Sequence, residues 1–128
     1  MKEKMKERRD MKNAQISVRL DENLKNEFDI FCKESNITVK YAVETFIVKT
    51  IEGKKIPYKV NRFMKNNIEN SDSVLKSGKS RIGIEVSAET QRRFQEICTE
   101  SGYGMGMVIR IFMWYCVKNG FKESRPPA

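Results

Sequence analysis

The sequence predicts a mainly α protein with a two-stranded antiparallel β-ribbon, built from two strand–helix–helix repeats that share one core. Three observations predict it. Two runs of alternating apolar and polar residues lie 66 positions apart. Each is followed by two stretches whose apolar residues recur at helical spacing. Finally, half of a 128-residue chain is small. Below roughly 60 residues a unit buries too little surface to be stable unaided, so two such halves must share an interior.

The repeat is found by sliding the chain against itself. Gln15–Lys54 lies on Arg81–Gly120 without a gap, and six of the forty pairs are identical. These are Ile16/Ile82, Phe28/Phe94, Cys32/Cys98, Glu34/Glu100, Ser35/Ser101 and Phe46/Phe112. Apolar character agrees at many more positions, among them Val18/Ile84, Leu20/Val86, Phe31/Ile97, Ala42/Val108, Val43/Ile109 and Ile47/Met113.

The first element of each repeat is a strand. Ile16, Val18 and Leu20 alternate with Gln15, Ser17 and Arg19. Ile82, Ile84 and Val86 alternate with Arg81, Gly83 and Glu85. A period of two gives one apolar and one polar face. Asp21 and Ser87 follow as helix N-caps, since their side-chain oxygens accept from the first free amides.

The second element is a helix of about 13 residues. Leu24, Phe28, Phe31 and Cys32 form its stripe, matched by Thr90, Phe94, Ile97 and Cys98. It ends at Ser35-Asn36 or at Ser101-Gly102. The third element is a more apolar helix. Val39, Ala42, Val43, Phe46, Ile47 and Ile51 mark its buried side in one copy. Met105, Val108, Ile109, Phe112, Met113, Cys116 and Val117 do so in the other, with Trp114 also expected in the core. Gly53 and Gly120 are the expected stops.

A single strand has unpaired backbone groups that need a partner. The two strands therefore pair with each other, or with strands of another chain. Residues 61–80 are polar and suit a linker; extended, they reach roughly 65 Å, enough for pairing within one chain. The expected organisation is a basic flexible arm over 1–13, repeats over 14–60 and 81–121, the linker between them, and a tail over 122–128.

Net charge is +8, from 25 Lys and Arg against 17 Asp and Glu. Residues 1–13 carry +3 of it and 61–80 carry +2. A basic balance points to a polyanionic partner. The arm residues Lys2, Lys4, Lys6, Arg8, Arg9 and Lys12 suit phosphates, or simply solvent. No run of about 18 apolar residues exists to span a membrane. The N-terminal stretch lacks the apolar core of a secretory signal. With no histidine, and with Cys32, Cys98 and Cys116 lacking metal spacing, no metal or cofactor is expected. The cysteines fit the core of a cytoplasmic protein. Gly102-Tyr103-Gly104-Met105-Gly106 lacks the Lys-Ser/Thr of a nucleotide loop and does not follow a strand. No nucleophile–base pair suggests an enzyme.

The run QISVRLDENLKNEFDIFCKESNITVKYAVETFIVKTIEGKKIPYKV, with its Ile56-Pro57-Tyr58 ending, resembles the ribbon–helix–helix family. It looks like the DNA-binding half of RelB/DinJ-type antitoxins. The strand Gln15–Leu20 is also similar to that of the Arc repressor, and RIGIEVSAETQRRFQEICTESGYGMGMVIRIFMWYCVKNGF is a less typical second copy. Tandem copies resemble relaxosome accessory proteins of conjugative plasmids. The resemblance implies an antiparallel ribbon whose outward residues enter the DNA major groove, with phosphates held at the start of each second helix. It also implies contact between neighbouring molecules on DNA.

On this chain the base-reading positions become Gln15, Ser17, Arg19, Arg81, Gly83 and Glu85. Arginine donates twice to guanine, glutamine bonds adenine, and glutamate accepts from cytosine. A polar strand face is also what any solvated ribbon presents; the repeat favours base contact. Gly83 and Glu85 make the second strand the weaker reader and predict an asymmetric site. The phosphate positions become Thr38, Val39 and Lys40, and Gly104, Met105 and Gly106, where helix N-termini favour anions.

Three roles follow. A transcriptional repressor is the leading expectation. A relaxosome accessory protein, partnered by a relaxase, is the second. An antitoxin that sequesters a toxin is the third, disfavoured because only Phe121–Ala128 follow the second repeat.

Overall fold

The computed structural model describes residues 14–57 and 78–119. The expected arm, most of the linker, the tail and the stop at Gly120 lie outside them. The described elements are β1 (Ala14–Leu20), α1 (Glu22–Glu34), α2 (Val39–Gly53), β2 (Ser80–Val86), α3 (Ala88–Ser101) and α4 (Met105–Asn119). Each repeat is thus a strand followed by two helices.

Local chemistry sets the boundaries. Asp21 Oδ2 accepts from the amides of Asn23 and Leu24 at 3.0 and 3.3 Å, opening α1. Ser87 Oγ accepts from the Thr90 amide at 3.0 Å, opening α3. Both first helices end on a left-handed residue, Asn36 at φ 65° and Gly102 at φ 88°. Asparagine and glycine are the residues that tolerate this conformation. The turns match in detail: the amides of Ile37 and Tyr103 donate back to the carbonyls of Cys32 and Cys98. Gly53 behaves differently from expectation. It is the last residue of α2, and Lys54 takes the left-handed conformation at φ 60°.

The strands pair antiparallel within the one chain. The register runs from Ala14 opposite Val86 to Leu20 opposite Ser80, with Ser17 opposite Gly83 at the centre. Ser17 and Gly83 are also the residues that the 66-residue offset superposes. Ile16, Val18, Leu20, Ile84 and Val86 are buried beneath the ribbon.

Packing crosses between the repeats. α4 lies against β1 and α1, while α2 lies against β2 and α3. Phe46 and Phe112, equivalent residues of the two second helices, stack at 4.4 Å between ring centroids and 17° between planes. Two edge contacts flank it, Phe28 to Phe112 at 6.3 Å and Phe94 to Phe46 at 6.2 Å. Four of the residues that are identical between repeats therefore form one aromatic cluster. Such ring pairs add about 0.5–1.5 kcal/mol each beyond the area they bury. One continuous core includes both halves, as the size of each half requires.

Candidate nucleic-acid interface

The outward face of the ribbon is set by strand alternation. Gln15, Ser17, Arg19, Arg81, Gly83 and Glu85 are all exposed. The register brings them into three rows: Gln15 with Glu85, Ser17 with Gly83, and Arg19 with Arg81. One end of the face carries two arginines that are register partners. The other holds an amide and a carboxylate. Each strand is charge-graded along its own length, from Gln15 to Arg19 and from Arg81 to Glu85, and the antiparallel register lays the two gradients in the same sense.

Gly83 has a steric role as well. A Cβ there would stand 2.6 Å from Nε2 of Gln15, so the glutamine side chain lies across the glycine. Gln15 thus fills space on the second strand as well as its own.

The proposed phosphate positions open the two second helices. Thr38 caps α2, its Oγ1 accepting from the Tyr41 amide at 2.9 Å. Val39 is half-buried, and the exposed Lys40 reaches Glu44 along the helix at 2.9 Å. In the second repeat Gly104 occupies the place of Thr38, its carbonyl accepting from Val108 at 3.2 Å. Glycine brings no side chain to that cap. Met105 and Gly106 follow, both half-buried.

Two residues that the sequence reading passed over touch the ribbon. Gln91 in α3 donates from Nε2 to the Gln15 carbonyl at 3.2 Å. Arg110 in α4 donates from Nη1 to the Arg19 carbonyl at 3.0 Å. Arg110 is only 7% exposed, and burial pushes its guanidinium down from the ordinary arginine range. A signal for it existed: it is the one charge in the apolar run Met107–Met113.

The three thiols lie in the core, as expected. Burial, with a smaller push from Asp29, raises Cys32 to about 11. Burial raises Cys98 to about 12 and pushes Cys116 up as well. Trp114 is half-buried at the margin of that core.

The family model for RelB antitoxins matches residues 13–87. The chain belongs to the RelB antitoxin family. The match spans the first repeat, the segment after it and β2; α3 and α4 lie beyond it. The family is one of antitoxins. No curated protein and no solved structure matches the chain. No helix among the described residues is long and apolar enough to cross a membrane.

Proposed function

We propose that this RelB-family chain binds duplex DNA sequence-specifically as a single-chain pseudo-dimer and represses its own promoter. The carrying observation is the ribbon: three rows of exposed residues on one face, a buried apolar face behind. A major groove about 12 Å wide admits a two-stranded ribbon, and base edges there present distinct donors and acceptors. Arg19 and Arg81 read guanines at one end. Gln15 and Glu85 read adenine and cytosine at the other, with Ser17 between the two ends and Gly83 giving the room that the Gln15 side chain lies in. Thr38, Val39, Lys40, Gly104, Met105 and Gly106 meet the flanking phosphates.

Selection of bound duplexes from a random pool tests this reading. The expected motif is asymmetric, with guanine beneath the paired arginines. A palindromic motif, or no enrichment, rejects it.

A protein toxin is the second partner, favoured by the family match. Co-expression with the product of the adjacent gene tests it. A neighbour that neither arrests growth alone nor co-purifies removes the antitoxin role and leaves DNA binding standing.

A further inference from the structure

We infer that Gln91 and Arg110 of the second repeat are positioning residues that aim the first strand's base readers, Gln15 and Arg19. The inference rests on the DNA-reading function proposed above.

Alternate residues of an antiparallel strand turn their main-chain groups toward the partner strand, and the rest turn them to the outer edge. Gln15 and Arg19 share the same parity. Their carbonyls accept from outside the ribbon, at 3.2 Å from Gln91 and 3.0 Å from Arg110. These are the outer two of the three reading positions on β1. Each peptide unit is a rigid plane. Holding the carbonyl of residue 19 therefore constrains rotation about the bond from its Cα, and with it the direction of its side chain. Two such anchors, four residues apart, fix the twist of the strand between them.

The equivalent residues of the first repeat are engaged elsewhere. The equivalents of Gln91 and Arg110 in the first repeat are Lys25 and Glu44. Lys25 is paired with Asp29 at 3.3 Å and Glu44 with Lys40 at 2.9 Å, each along its own helix. An ionised Glu44 has no proton to donate to a carbonyl. At this position the first repeat cannot return the contact. The stronger reading strand is thus held by the repeat whose own strand carries Gly83 and Glu85.

Arg110 also tightens the start of α4. A Cβ on Gly106 would stand 3.1 Å from its Nη1, so the guanidinium lies between the ribbon edge and the first turn of that helix. It joins the β1 edge to a helix end proposed to meet phosphate.

The test uses the full chain and the duplex that the wild type selects. Arg110→Met keeps the apolar stem and removes the donors. Its discrimination against a changed guanine at the Arg19 position should fall about tenfold, within the range that one base contact supplies. The salt dependence of binding should not change, because no phosphate contact is lost. In an Arg19→Ala background, Arg110→Met should have no further effect on that discrimination. Unaltered discrimination, or an equal loss in both backgrounds, overturns the inference. A salt slope reduced by about one overturns it too, since Arg110 would then be a phosphate ligand. If Arg110→Met does not fold, the half-buried Gln91→Met carries the test at the Gln15 position, judged by the same outcomes in a Gln15→Ala background. A wild type with no sequence preference rejects the DNA-reading function as well. A wild type whose preference survives both substitutions rejects the positioning role alone.

Discussion

Arg19 and Arg81 stand directly opposite one another across the ribbon, register partners on its exposed face. Like charges placed this way destabilise a strand pair by roughly 0.2–1 kcal/mol. They are not equivalent positions of the repeat: Arg81 corresponds to Gln15, and Arg19 to Glu85. The crossing of two unlike strands brings the cations to one end and leaves Gln15 with Glu85 at the other. A surface that carries this repulsion unbound is suited to an anionic or acceptor-rich partner.

On the proposed DNA-reading function the pair trades stability against binding, and Arg81→Glu separates the two. It turns a like-charge pair into an opposite one, so the urea midpoint should rise by an amount equivalent to about 0.2–1 kcal/mol. Affinity for the selected duplex should fall. Arg19→Ala should cost about 1–3 kcal/mol in specific binding, confined to one base position. Affinity retained by both variants would place the DNA contact elsewhere.

Gly83→Ala should be mildly stabilising. Its φ lies outside the left-handed region, and the atom nearest a new Cβ is the flexible end of Gln15. Replacing a strand glycine under those conditions stabilises by about 0.4–1 kcal/mol through the unfolded chain. Gln15 must swing aside, so the preferred base at its position should change while that at the Arg19 end holds. Chemical denaturation and duplex selection report the two effects separately. A fall in stability would mean that Gln15 is fixed in place.

Gly78→Ala should do the opposite. Gly78 has φ 51°, and a Cβ there would run into the Leu20 carbonyl and the Asp21 amide nitrogen. Backbone cannot swing aside as a side chain can. The left-handed conformation alone costs a non-glycine residue about 1–3 kcal/mol, and the collision adds to it. Thermal unfolding should show the loss. Because the collision is at the end of β1 that carries Arg19, discrimination at that base should weaken as well.

The buried thiols give stability a sign with pH. Their folded values lie above the ordinary 9.0, with Cys32 at about 11 and Cys98 at about 12. The unfolded chain thus releases protons first as pH rises. The contribution of these groups is complete below about pH 9 and is lost between pH 9 and 12. Denaturant midpoints should fall across that window, and Cys98→Ser should flatten the fall. In the folded protein at neutral pH, the thiols should react with iodoacetamide only as fast as the chain opens.

The strands, the four helices, the N-caps at Asp21 and Ser87 and the repeat are legible in the residues because each depends on local chemistry or on period. Alternation tells which face of β1 holds Gln15, Ser17 and Arg19, whatever the partner strand. Spacing at i, i+4 and i+7 places Phe28 and Phe94 in the core, and Asp21 and Ser87 cap helices through amides two or three residues away. The register is different in kind. Period two leaves open whether Arg19 faces Arg81 or Glu85, because the choice rests on contacts between residues more than sixty apart in the chain. Only tertiary packing decided that Ser17 meets Gly83, that Phe46 stacks on Phe112, and that Gln15 lies across a glycine. It also buried Arg110 against the Arg19 carbonyl. The polar face of the first strand could be read directly; its pairing, the alignment of its charges with those of β2 and its hydrogen bonds to Gln91 and Arg110 exist only once the two halves share a core.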